Sequence, residues 1–161
     1  MKYLSEELLE LLKREFGEAI TEVEKFRGEV SVTVKKEKLK DLLSFLKFNE
    51  KFKMEMLVDL TAVDFPHRSP RIQVVYHLRS LSLKHNLRVK CWAEGEQLPT
   101  VVDLWKCADW TEREVYEMFG VVFTGRELRK LLLPQKYPYF PLRKDFPLEG
   151  KEEPCEVWDW E

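Results

Sequence analysis

Two runs decide the fold: Arg71–Leu78, reading RIQVVYHL, and Leu87–Ala93, reading LRVKCWA. The first is β-branched and aromatic, and the second alternates apolar with polar, as strands do. A third run, Met54–Phe65, precedes them and is long and apolar. Parallel neighbours would need a crossover helix between each pair, and no helical period separates these runs. The sheet they form is therefore largely antiparallel or mixed. Pro66 and Pro70 bracket the first connection, and Gly95 and Pro99 end the third strand.

Moving towards the N-terminus, Leu39, Leu42, Leu43, Leu46 and Phe48 mark an amphipathic helix. Before it, Ile20–Phe26 and Glu29–Val34 alternate around Arg27-Gly28, a hairpin signal with glycine free to take positive φ. Ser5 is the N-cap of a first helix carrying Leu8, Leu9, Leu11, Leu12 and Phe16, which Gly17 stops. Helix, hairpin, helix and three strands make an α+β body with its helices packed on one face.

Beyond Pro99 the character shifts. Val101–Lys106 is a short turn or helical segment. Asp109 with Glu112, or Thr111 with Glu114, offers a capping-box start for a helix ending near Gly120. Val115, Met118 and Phe119 share one face of it, and Arg113 and Glu117 stand at ion-pair spacing. From Arg126 to Phe146 the bases Arg126, Arg129, Lys130, Lys136, Arg143 and Lys144 outnumber Glu127 and Asp145. From Pro147 the sign reverses, with Glu149, Glu152, Glu153, Glu156, Asp159 and Glu161 against Lys151. Pro134, Pro138, Pro141, Pro147 and Pro154 exclude regular structure. The reading is a body over 1–123 and an extended arm over 124–161 that follows a partner's surface and becomes ordered on binding.

Composition narrows the function. Charged residues make up 35% of the 161, yet the net charge is only −2, so nothing argues for nucleic acid or an anionic membrane surface. Amides are few (Asn49, Asn86, Gln73, Gln97, Gln135) while Lys and Glu abound, the bias of a heat-adapted source. The N-terminus carries acids at once and reads as no signal peptide, and no run approaches a bilayer span. Cys91, Cys107 and Cys155 are odd in number and far apart, which fits a reducing compartment and is too few for an iron–sulfur cluster.

Catalytic readings fare poorly. Glu112, Glu114 and Glu117 could serve as an acid–base set, but general acid–base work needs carboxyls in unlike environments. The surplus of nearby bases favours ion pairs that fix the arm on the body and hold all three ionised. His67, His77 and His85 lack zinc-site spacing. His77 reads as a packed strand residue and His67 as an exposed turn. The six glycines form no phosphate-cradling motif. Lys136–Pro141 mixes a base with aromatics, more the mark of a protein-binding hot spot than of a nucleic-acid platform. No residue is expected to be catalytic, to bind a cofactor or to ligate a metal.

The run Glu112-Arg113-Glu114, two residues, Glu117-Met118-Phe119 closely resembles the signature of the C subunit of proton-pumping NADH:quinone oxidoreductase, respiratory complex I. The likeness continues through Leu128, Lys130, Leu132 and Leu133, and Pro141–Leu148 matches that family's second hallmark. It is strongest over Trp110–Leu148. One departure is Arg126, where the family usually has His or Lys; another is Glu127, where it often has Pro. Arginine keeps a cation but no titratable ring, so an ion-pair role is expected there and a proton relay is not.

The resemblance implies a non-catalytic subunit of the peripheral arm, on the cytoplasmic side of the cell membrane. It implies no cofactor in this chain, with FMN, iron–sulfur clusters and quinone held by neighbours. Its partners would be the large quinone-site D subunit and the cluster-bearing B and I subunits, with membrane contact only through the complex. Glu112, Arg113, Glu114, Glu117, Arg143, Lys144 and Asp145 carry over as assembly residues, joined by Arg126, Arg129 and Lys130 from the basic arm. An equivalent subunit of a membrane-bound nickel–iron hydrogenase, or of a ferredoxin- or F420-linked oxidoreductase, is the alternative. A freestanding hydrolase using Glu114 and Glu117 is the reading from another class.

Overall fold

A computed structural model describes residues 2–151. The acidic C-terminal end with Cys155, Trp158 and Trp160 lies outside the described residues.

The main sheet has the order β2-β3-β6-β5-β4. Its strands are β2 (Ile20–Phe26), β3 (Glu29–Val34), β4 (Met56–Asp64), β5 (Ile72–Arg79) and β6 (His85–Trp92). The short β1 (Lys2–Tyr3) adds to β6 in parallel. Pairs β2/β3, β4/β5 and β5/β6 are antiparallel, whereas β3/β6 is parallel. The sheet is thus mixed. The crossover that a parallel pair requires is supplied between β3 and β6 by α2 (Lys36–Phe48) together with the β4–β5 hairpin.

Register makes one face continuous. Val32, Val89, Tyr76 and Leu60 stand in one row across four strands, and Val34, Cys91, Val74 and Ala62 in the next. All eight are buried. Leu39, Leu42, Leu43 and Leu46 of α2 close over this face with Leu9 and Leu12 of α1 (Glu6–Phe16). Ser5 caps α1 as expected, its hydroxyl accepting the Leu8 N–H at 3.4 Å. The β2–β3 turn puts both Arg27 (φ 47) and Gly28 (φ 85) at positive φ, a two-residue turn whose twist matches its strands. Cys91 is a buried hydrophobe whose thiol burial pushes up to about 12. His77 is a half-buried strand residue, and His67 is exposed in a turn.

The third helix, α3 (Ala108–Phe119), lies along β4. A small parallel pair, β7 (Gln97–Pro99) with β8 (Val122–Thr124), ties both its ends, Leu98 facing Phe123. Neither expected capping box forms. The helix begins at Ala108 after Cys107, which makes no side-chain cap bond, so Asp109 and Thr111 fall inside the helix. Glu112 is drawn inward to the β7 end instead of back onto its own N-terminus. The stop is as expected: Gly120 takes φ 83 and its N–H bonds Tyr116 O.

Residues 125–151 contain no helix or strand, in keeping with the prolines. The segment lies on its own body, because the body's buried carboxylates need its N–H groups and arginines.

Candidate functional site

Helix α3 buries two carboxylates among its apolar contacts. Val115 and Phe119 point into the core with Met118 partly buried beside them. Glu112 and Glu117 are both 0% exposed. A charge so placed must be surrounded by donors, and each of these is.

Glu112 reaches back to the end of β7. Its carboxylate accepts the Thr100 hydroxyl at 2.7 Å, the Val101 N–H at 2.7 Å and Arg126 Nη1 at 3.3 Å. Arg126 also pairs with Asp109. Burial pushes the Glu112 pKa up, against the pull of the Val101 N–H, Thr100 and Arg126. The expected ion pair with Arg126 is present, but burial opposes the expectation that the surrounding bases hold this carboxyl ionised.

Glu117 fastens the other side. One of its oxygens, Oε2, takes three consecutive backbone N–H groups: Leu131 at 2.9 Å, Leu132 at 3.0 Å and Leu133 at 3.2 Å. The expected Arg113–Glu117 pair does not form. Arg113 instead donates to Arg129 O at 2.7 Å and Lys130 O at 3.3 Å, and lies over the Trp110 ring. Backbone groups of the arm thus take both partners from each other. Lys130 donates to Tyr137 O, and burial lowers its pKa. The Arg129 side chain only meets exposed Glu127 at 3.4 Å. Glu114 points to solvent and makes no bond among the described residues.

A second fastening lies at the far end of α3. Arg143 donates to Phe119 O at 2.7 Å and to Glu96 at 2.8 Å, and stacks on Phe140. Leu142 N–H reaches Met118 O. Next to it, Asp64 at the end of β4 has a side chain with no exposure. It pairs with Arg71 Nη2 at 2.6 Å and accepts the Lys144 N–H at 2.7 Å. Arg71 also binds Asp145 through two nitrogens, at 2.8 and 3.0 Å. Arg71 holds the Asp64 carboxyl below its ordinary range, and Asp145 likewise. Of Lys144, the backbone does this work; its side chain is exposed.

Sequence reasoning missed Asp64, Arg71, Glu96 and Thr100. Asp64 had a signal: a carboxylate at the end of the apolar run Met54–Phe65 needs a partner if that end of the strand is buried. The other three carried none.

Glu114 and Glu117 do not form an acid–base pair. One faces water, and the other is sealed with its donors in place. No helix is long and apolar enough to cross a membrane among the described residues.

The chain is an α+β body whose signature helix uses its buried charges to anchor a proline-rich segment. The chain belongs to the respiratory-chain NADH dehydrogenase 30 Kd subunit family, which matches residues 32–152. It is 41% identical over 144 residues to the NADH-quinone oxidoreductase C subunit of Geotalea uraniireducens, covering 88% of this chain and 87% of that one. It is 44% identical over 152 residues to the fused C/D protein of NADH-quinone oxidoreductase from a Sulfurihydrogenibium species, covering 93% of this chain. There the chain spans only 26% of its relative's length. Among solved structures it resembles a trypsin-resistant fragment of Nqo5, with TM-score 0.66, 30% identity, 76% of this chain and 98% of that one. It also resembles a chain of an archaeal membrane-bound sulfane sulfur reductase, with TM-score 0.72, 28% identity, 89% of this chain and 85% of that one.

Proposed function

We propose that the chain is a non-catalytic assembly subunit of a proton-translocating NADH:quinone oxidoreductase, on the cytoplasmic face of the membrane. It orders its neighbours and carries no electrons. The observation that supports this most is the state of its signature residues. Glu112, Glu117, Arg113, Arg126 and Arg143 are all engaged in holding the arm, and Glu114 alone of the signature acids faces solvent. FMN, iron–sulfur clusters and quinone belong to the partner subunits. The large quinone-site D subunit is the foremost neighbour, because relatives join C and D in one polypeptide; the B and I subunits are the others. The arm, already shaped by the body, presents Leu132, Leu142 and Leu148 outward, and these large exposed apolar groups are what a neighbour would cover.

The test is co-purification of the tagged full-length chain from gently solubilised membranes of its native cells. The expected result is stoichiometric recovery of the quinone-site and cluster-bearing subunits, with NADH:quinone activity in the assembly and no flavin or iron in the separately produced chain. A chain found unaccompanied, or holding a prosthetic group of its own, would sink the proposal.

The likeness to the sulfane sulfur reductase chain favours a second reading, the same module in a different respiratory machine. The recovered partners discriminate. Flavin- and NAD-binding subunits mark the first, and metal-ligating cysteines in the large subunit mark a hydrogenase-like one.

A further inference from the structure

A groove of about 400 Å³ opens on the sheet face away from the helices, between the β2–β3 turn and the ends of β4 and β5. Its walls are unusual for a solvated surface. Phe26 is 70% exposed and Val58 is 51% exposed, two large apolar groups open to solvent. Burial and the Arg88 guanidinium lower the His77 pKa, so at neutral pH the floor is an uncharged ring.

The rim is cationic and incompletely neutralised. Arg88 is paired with Glu29 at 2.6 Å, the groove's one carboxylate, and its Nε is buried without an acceptor. Arg27 only stacks on the Phe26 ring, 5.3 Å from the centroid, and Arg79 has no acceptor among the described residues. The arginines that fasten the arm differ: Arg71, Arg126 and Arg143 are each paired with a carboxylate. An exposed apolar pair flanked by unsatisfied guanidinium groups is the complement of a carboxylate-bearing segment with an apolar anchor.

We infer that this groove docks an acidic, extended segment of a partner subunit, with an apolar side chain seated between Phe26 and Val58 and carboxylates on Arg27 and Arg79. The inference rests on the reading of the chain as an assembly subunit. Position makes the groove a separate contact from the arm. Ile72, at one end of β5, adjoins the Asp64–Arg71 fastening, and Arg79, at the other, borders the groove. At ~3.3 Å per residue the strand keeps them roughly 23 Å apart. A chain with docking surfaces at opposite ends of its sheet bridges two neighbours.

The test uses the assembled complex purified from native cells, with the photo-crosslinking residue benzoylphenylalanine placed at Val58. The expected product is a covalent link to another subunit, at a peptide where acidic residues flank an apolar one. Arg79→Glu in the same chain should cut the yield about tenfold, whereas Arg79→Lys keeps most of it. A link to a second copy of this chain, or to its own residues 152–161, overturns the inference. So does an unlinked chain that still co-purifies with its neighbours, or equal yields for the Glu and Lys variants. A chain that co-purifies with no subunit overturns the underlying assignment, and the groove proposal with it.

Discussion

The arm is held to the body at two places by opposite electrostatics. At Glu117 the sealed carboxylate takes backbone N–H groups of the arm, and at Glu112 it takes a hydroxyl and an N–H of the body together with Arg126 of the arm. At Asp64 the donor is chiefly an arginine that is itself partly exposed. The difference shows in the pKa directions, up for Glu112 through burial and down for Asp64 through Arg71. A sealed carboxylate keeps a desolvation cost even where neutral dipoles and one guanidinium surround it, whereas one held chiefly by a guanidinium at the rim is favoured as an anion. The first arrangement fixes backbone shape, and the second fixes charge.

Breaking the sealed side should have the largest effect. Glu117→Ala strips three N–H groups of their acceptor and is expected to destabilise the full chain by about 3 kcal/mol, read from urea unfolding. Glu117→Gln keeps one carbonyl acceptor and should cost less. Gly120→Ala tests the junction between the two fastenings. Its φ is +83, and a Cβ there would sit 2.6 Å from Arg143 Nη2 and 2.8 Å from Phe140 Cζ. The expected loss is about 2 kcal/mol, with residues 140–146 losing protection in hydrogen exchange before the rest.

Neutral amides sharpen the contrast. Asp64→Asn removes a charge that the fold favours and should cost about 1–2 kcal/mol, discounted for the exposure of Arg71. Glu112→Gln removes a charge that burial disfavours, so its cost should stay below about 1 kcal/mol despite complete burial. Equal losses in thermal or urea unfolding would refute the distinction. Acid titration gives the smallest effect and the same contrast in sign. Asp64 contributes stability that is complete above its unfolded value near 3.8 and is lost as pH falls below it. At pH values between its unfolded and its higher folded pKa, Glu112 binds more proton in the folded state. Its contribution therefore falls as pH rises from near 4.5, its unfolded value, through the higher folded one. In urea midpoints against pH, Asp64→Asn should flatten the acid limb, and Glu112→Gln should remove the loss just above pH 4.5.

Much of the body was legible. The strand runs at Arg71 and Leu87, the Arg27-Gly28 turn and both amphipathic helices follow from period and turn chemistry, which act over a few residues. The site was legible only in part. Glu112 stands at i, i+3 and i+7 with Val115 and Phe119, so the helical period itself places it on the apolar stripe. Glu117 and Arg113 lie on another face, and only the arm's passage over that face turns them from a surface ion pair into separate ligands of backbone. Asp64 and Arg71 meet Lys144 and Asp145 across more than seventy residues, and no local pattern encodes such a pairing.

The sequence alone settled the α+β architecture, the helix that carries Glu112 to Phe119 and the irregular, basic course of the segment after it. Those properties depend on hydrophobic period, on glycine and proline geometry and on charge count, each decided by neighbours along the chain. The tertiary structure alone decided which acids are sealed, which arginines are spent on the body and which remain free at the far groove. Burial and hydrogen-bond saturation are properties of groups brought together from distant positions, and they exist only once the sheet has placed them.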